Sequence, residues 1–264
     1  MSDQDVKACT PRHLPRGEWP AAATNAIRTN SGNRPPGLED EDVERGDDGE
    51  RLAVDVTRYW GQGGVRLTTG FIETPDRALR DRILGHLNAW GQTANVQFVE
   101  SSADPQVRIA RFTASEAPGH DGYWSYLGTD VLLIEPHRPT MNLEAFTMQT
   151  RDSEFYRVVR HEAGHTLGFP HEHMRRDIVR RLDPEKVIAD YMRSQGWTRQ
   201  EVIDQVLTPL EESSLLGTPM AEADSIMCYQ IPGELTVDGQ TIAGGQDITP
   251  ADFAFAAQVY PKAG

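Results

Sequence analysis

His161-Glu162-Ala163-Gly164-His165-Thr166-Leu167-Gly168-Phe169-Pro170-His171-Glu172-His173 is the stretch from which the rest of the chain is read. If it is helical through Leu167, His161 and His165 stand one turn apart on the same face, and both imidazoles reach one metal ion. Glu162 points slightly off that face, where it can hold a metal-bound water without becoming a ligand. Gly168 tolerates positive φ, so the helix can end there and the chain turn back to bring His171 in from a loop as a third ligand. Three neutral imidazoles with one vertex left for water are the donor set of a catalytic rather than a structural zinc site. A bare His-Glu-x-x-His also occurs on ordinary exposed helices; Gly168 and His171 at the required offsets argue against three surface histidines beside a helix end.

A second stretch lies far along the chain: Ser225-Ile226-Met227-Cys228-Tyr229. Alone it reads as a short apolar strand with a buried Met and Tyr. Together with the first stretch, and with Glu172, Arg175 and Asp177 following His171, it resembles the astacin family of metzincin zinc endopeptidases. The resemblance covers roughly Val54 to Pro261, although its specific motifs occupy only the two stretches. It implies an α+β fold. An upper half would hold a twisted, mostly parallel sheet and two long helices, a lower irregular half would end in a C-terminal helix, and the cleft would lie between them.

The resemblance also implies roles. Met227 would form the floor under a Zn2+ held by His161, His165 and His171, and Tyr229 would be a displaceable metal ligand that stabilises the oxyanion. Glu162 would act as general base toward the metal-bound water and pass the proton to the leaving amine. Glu172 would make a buried polar link to a processed N-terminus or a neighbouring group, whereas His173, out of register with the ligands, reads as a surface residue. Astacins commonly carry His after the Met, and this chain has Cys228 there. The activity implied is zinc-dependent endopeptidase cleavage of peptide or protein chains. Two other readings stay open: a latent proenzyme form, and a non-catalytic zinc-containing peptide-binding module, against which an intact Glu162 argues.

The 264 residues suffice for one catalytic domain and a leader. A formal net charge of -14, with no stripe of Lys or Arg, argues against nucleic-acid binding. No apolar run approaches membrane-spanning length. The first residues lack the basic start and apolar core of a secretory signal, so the expectation is a cytoplasmic protein or one exported by another route. The two cysteines, Cys9 and Cys228, make no disulfide framework, which fits a bacterial-type member better than the disulfide-bearing animal astacins.

Residues 1–53 read as a leader, Pro-rich around Pro11 to Pro20 and acidic from Glu39 to Glu50, either a solvated tail or a propeptide over the cleft. In the second case Cys9 is a candidate thiolate ligand and Asp47 a candidate carboxylate ligand. Residues 54–264 read as the catalytic domain. Val65 to Phe71 alternates as a strand. Thr74 and Pro75 start a helix with the apolar stripe Leu79, Ile83, Leu87 and Trp90. Further strands are expected at Val96 to Glu100, Val107 to Phe112 and Val131 to Ile134, and between the last two, Gly122 to Gly128 is expected to be the edge that receives substrate, antiparallel, as an added strand. Helices are expected from Ser153 to Leu167, from Pro184 to near Gly196, after the Thr198 and Glu201 capping box, and from Pro250, with Phe253, Ala256, Val259 and Tyr260 as its anchors.

Overall fold

Val65 and Leu67 turn one way and Arg66 the other, and this alternating run forms an inner strand of a five-stranded sheet in the computed structural model, which describes residues 9–10, 12–35, 56–209 and 222–263. Strand β1 (Val65–Phe71) lies between β2 (Val96–Glu100) and β3 (Val107–Ala110), parallel to both. β4 (Tyr123–Ser125) is the edge, antiparallel to β5 (Met141–Leu143), which itself runs parallel to β3, so the order is β2-β1-β3-β5-β4.

Two of the expected strands differ. Val131 to Ile134 is not a strand; Gly128–Leu133 forms a 3-10 helix, with Val131 buried and Leu132 turned outward. The place beside β3 is taken by Met141–Leu143, too short to show any alternation in sequence. β3 also stops before Phe112, because the Asn142 side chain takes over the pairing: it accepts from Phe112 N at 2.8 Å and donates to Phe112 O at 3.0 Å.

Helix α1 (Trp19–Thr29) lies in the stretch that composition reads as leader. It is not a solvated tail: Ala22, Ala23 and Ala26 are buried, and the helix packs on the Gly128–Leu133 turn. Asn33 fixes its far end. Its amide donates to Ala26 O at 2.9 Å and Tyr59 O at 2.8 Å, and its oxygen accepts from Tyr59 N at 2.9 Å and Thr57 Oγ1 at 2.8 Å.

Helix α2 (Arg77–Leu87) buries Leu79, Ile83 and Leu87 and continues as a 3-10 turn, Asn88–Gln92, which carries Trp90. It starts later than Thr74 and Pro75 suggest, because Asp76 O is the acceptor for both Leu79 N and Arg80 N. The second long helix begins with Asp152–Glu154, passes through a π-helical turn, Phe155–Val159, and ends as α3 (Arg160–Thr166). Phe155, Val159 and Ala163 pack into the upper core. The lower half holds α4 (Arg176–Val179), α5 (Pro184–Ser194) and α6 (Arg199–Val202), whereas α7 (Pro250–Val259) packs Ala256, Val259 and Tyr260 into the same core as Phe155 and Val159. Capping boxes open α6 at Thr198 and Glu201 and α7 at Thr249 and Asp252. A separate apolar cluster, with Val187, Ile188, Val202, Ile231 and Leu235 among its members, underlies α5 and α6. Among the described residues no helix is long and apolar enough to cross a membrane.

Replacing Asn33 by Ala removes the hydrogen bonds to Ala26, Thr57 and Tyr59 at a residue that is 1% exposed and leaves Tyr59 N to find another partner. The expected cost is about 2 to 4 kcal/mol, read as a lower denaturant midpoint with an unchanged slope.

Candidate metal centre

Helix α3 ends at Thr166, and the next carbonyls are held rather than left bare. Trp60 Nε1 donates to Thr166 O at 2.8 Å, and the Tyr260 hydroxyl donates to Leu167 O. Gly168 follows with φ of +95°, a conformation that suits glycine, and the chain turns back so that His171 meets the helix. His171 Nε2 then lies 3.1 Å from His161 Nε2 and 3.0 Å from His165 Nε2. His161 Nδ1 donates to Ile226 O at 2.6 Å and His165 Nδ1 to Phe169 O at 2.8 Å, which puts the protons on those nitrogens and leaves Nε2 as a lone pair. His171 Nδ1 has no hydrogen-bond partner among the described residues.

Converging lone pairs repel unless a cation lies among them. Nitrogens on a tetrahedral zinc at about 2.0–2.1 Å stand about 3.3 Å apart, so the observed spacing fits zinc with slight relaxation. Burial opposes protonation as the alternative. It lowers the His161 pKa to about 4 and drives His165 and His171 well below the usual range, with the neighbouring imidazoles adding to the effect at the last two.

Glu162 is wholly buried beside these rings. Burial raises its pKa to about 7, while hydrogen bonds from the Cys9 thiol and the Ser125 hydroxyl pull it the other way. Ser125 Oγ reaches Glu162 Oε2 at 2.7 Å, and Glu162 Oε1 has no hydrogen-bond partner among the described residues. A cleft of about 340 Å3 opens here, lined by Tyr123, Arg157, His161, Glu162 and Tyr229 among others.

Cys9 enters the same group. Its thiol and the ligand nitrogens of His161, His165 and His171 all lie within 4.8 Å of one another. The segment around it joins the sheet edge: Thr10 N donates to Tyr123 O at 2.9 Å and Arg12 N to Ser125 O at 3.0 Å, parallel to β4. The Tyr229 hydroxyl donates to Cys9 O. Asp47, the other candidate of the leader, lies outside the described residues.

Beneath the imidazoles, Met227 packs so close to α3 that a Cβ on Gly164 would stand 2.5 Å from its sulfur. The turn is fastened by Asp252, whose carboxylate accepts from Ser225 Oγ at 2.6 Å and Ile226 N at 3.0 Å while also capping α7 at Thr249. Nothing in the sequence pointed to this role of Asp252. Nor is His173 a surface residue. It is buried, its Nε2 donates to Gln205 O at 3.0 Å, and its ring stacks on Tyr229 at 3.9 Å. The acceptor is offered by a π-helical turn, Ile203–Leu207, whose wider winding is not legible from spacing. Glu172 is held by its backbone, N to Met227 O at 2.9 Å, and burial raises its pKa to about 7. Its carboxylate borders a small cavity of about 30 Å3 shared with Tyr59, Arg175 and Asp252.

The chain matches no family model and no curated protein. Among solved structures it is similar to myroilysin. One myroilysin structure is 30% identical, with 78% of this chain covering 97% of that one at a TM-score of 0.70. Another has the same identity, with 86% of that chain covered and a TM-score of 0.57. It is also similar to high choriolytic enzyme 1, a hatching enzyme zinc-protease from the medaka fish Oryzias latipes, at 18% identity over 76% of this chain and 92% of that one, TM-score 0.50; at that identity the likeness concerns the fold alone.

Gly164→Ala places a methyl group against the Met227 sulfur and is expected to cost about 1 to 3 kcal/mol and to lower the zinc bound per chain. Combining it with Met227→Ala should cost less than the sum of the two single changes, as measured by unfolding and metal analysis of all three variants.

Proposed function

Because the chain belongs to the astacin-like metzincins and is a zinc metalloendopeptidase, we propose that it hydrolyses peptide bonds in protein or peptide substrates with Glu162 as general base, and that the form described here is its latent proenzyme. The observation that carries the catalytic part is the Glu162 carboxylate, fully buried beside three converging imidazoles, with one oxygen that has no hydrogen-bond partner among the described residues and a cleft alongside.

His161, His165 and His171 would hold the zinc, which when bound acidifies a water and polarises the scissile carbonyl. Glu162, its pKa near 7, is poised to take a proton and return it to the leaving amine at neutral pH. Tyr229 is the residue we assign to the developing oxyanion and, between turnovers, to the metal. Its ring packs on both His171 at 4.4 Å and His173 at 3.9 Å, which limits where the hydroxyl can swing. The backbone of β4 would align the substrate by strand addition. A non-catalytic peptide-binding module would have no use for a buried carboxylate in this position, since burying it is unfavourable unless its chemistry is used.

Cys9 supports the latent reading. A thiol that burial and the Glu162 carboxylate push well above its ordinary pKa is a poor thiolate by itself, yet beside a bound zinc it would lose its proton and become the fourth donor. In that position it takes the vertex a water needs. Tyr229, bonded to Cys9 O, is engaged at the same time. The leader strand also runs parallel to β4, opposite to the direction expected of substrate, so it fills the cleft without presenting a bond for cleavage.

Two variants of the full chain test these roles, with an unfolded protein as substrate and fragments read by mass spectrometry. Introduced into a chain already carrying Cys9→Ala, Glu162→Ala is expected to keep its zinc and lose cleavage by about a thousandfold or more; cleavage at the level of that parent would overturn the assignment. Cys9→Ala is expected to bind the same zinc and cleave faster than the unaltered chain, and equal rates would end the latent reading.

A further inference from the structure

We propose that Ser125 is a positioning residue for this reaction: its hydroxyl holds one oxygen of Glu162 and leaves the other for the reaction, and it couples that alignment to the strand on which substrate is laid. The inference rests on the reading of Glu162 as general base.

Ser125 is the last residue of β4 and is fully buried against α3. Its Oγ lies 2.7 Å from Glu162 Oε2 and 3.1 Å from Glu162 O. A serine hydroxyl has one proton to give, and the backbone oxygen already accepts from Thr166 Oγ1 at 3.1 Å. The proton therefore goes to the carboxylate, the shorter and charge-assisted bond. Glu162 Oε1 has no such tether among the described residues. A glutamate side chain on a helix can otherwise rotate about three bonds, and fixing one oxygen removes that freedom before the reaction rather than during it.

The same residue touches the peptide in the cleft. Ser125 O accepts from Arg12 N at 3.0 Å, the bond by which the leader joins the sheet edge. Strand alternation turns the side chain of Ser125 to the face opposite that of Trp124. One residue thus presents its carbonyl to whatever chain lies along β4 and its hydroxyl to the base. A peptide that pairs with that carbonyl is placed at a fixed offset from Glu162 Oε1. A larger side chain at this position would separate β4 from α3, and an apolar one would leave Glu162 Oε2 buried with no donor from the strand.

The test uses the full chain carrying Cys9→Ala as parent, with Ser125→Ala, Ser125→Thr, Ser125→Cys and Glu162→Ala introduced one at a time. Bound zinc, unfolding midpoint, kcat and KM are measured on a peptide substrate. Ser125→Ala is expected to bind zinc as the parent does, keep KM within about twofold and lose roughly ten- to a hundredfold in kcat. Thr, which keeps the hydroxyl, should recover most of the loss, and Cys, a weaker donor of similar size, should fall between Cys9→Ala and Ser125→Ala. An unchanged kcat in Ser125→Ala, or a loss that appears in KM or in zinc content instead, would overturn the assignment. So would Thr and Cys variants that bind zinc and turn over no faster than Ala. Cleavage surviving Glu162→Ala would remove the general base and this inference with it, whereas an inert Glu162→Ala beside a fully active Ser125→Ala would remove the role of Ser125 alone.

Discussion

The lone pairs of three buried imidazole nitrogens converge on one point, and much of the molecule is arranged to keep them there. Burial closes the ordinary escape, protonation, by holding the pKa values of His161, His165 and His171 far below neutrality. Backbone carbonyls of Ile226 and Phe169 close the other, a change of tautomer, by holding the Nδ1 protons of His161 and His165. What remains is a set of donors that only a cation makes favourable. Zinc binding is for that reason part of the folding free energy of this region and not an addition to a finished fold.

The arrangement is costly to keep in place, and the contacts that hold it come from far along the chain. The C-terminal end of α3 is closed by Trp60 and Tyr260, and Trp90 donates to Arg160 O at its start. From below, Met227 fits against Gly164 with no room for a methyl group between them. Asp252 then joins that turn to the first turn of α7 through Ser225, Ile226 and Thr249. The C-terminal helix is thus connected to the imidazole cluster at both of its ends, through the Asp252 carboxylate and Ile226 O on His161 at one, and through the Tyr260 hydroxyl on Leu167 O at the other. A change at Asp252 is expected to act on the site although Asp252 bonds to none of the three imidazoles.

Which of these features could be read in the sequence follows from how local their causes are. The ligand spacing on α3, the turn at Gly168 and the capping box at Thr198 depend on residues a few positions apart, and each was legible. β5 and the 3-10 turn at Gly128–Leu133 were not, since the apolar run at Val131 matches either structure and the choice depends on pairing with β3, a segment distant in sequence. α1 was hidden by composition: its buried face is alanine, which carries little hydrophobic signal, and its packing partner lies about a hundred residues away, as the Asn25 bond to Thr129 O shows. His173 and Ser125 belong to the same class. A histidine after Glu172 and a serine in an aromatic strand gain meaning only through Tyr229, Gln205 and Glu162, which the chain brings from elsewhere. Cys9 could be named as a candidate by its chemistry, but nothing near it in sequence says that it reaches the imidazoles.

An exposed sheet edge and an open metal vertex are separate liabilities, the first inviting unintended strands and the second unintended ligands. One short segment covers both. Thr10 and Arg12 pair with β4, Cys9 lies beside the imidazoles, and Tyr229 bonds to the carbonyl of the same cysteine. Each of these contacts is modest when taken singly. They hold because α1, only a few residues further on, is packed on a different surface and keeps the segment near the cleft at a high effective concentration. On the latent reading this divides the labour: α1 supplies the affinity, and the segment around Cys9 supplies the block. Cutting the chain between them would leave the cleft segment to hold by its own contacts, against substrate that competes for the same strand edge, with no change required at the metal itself.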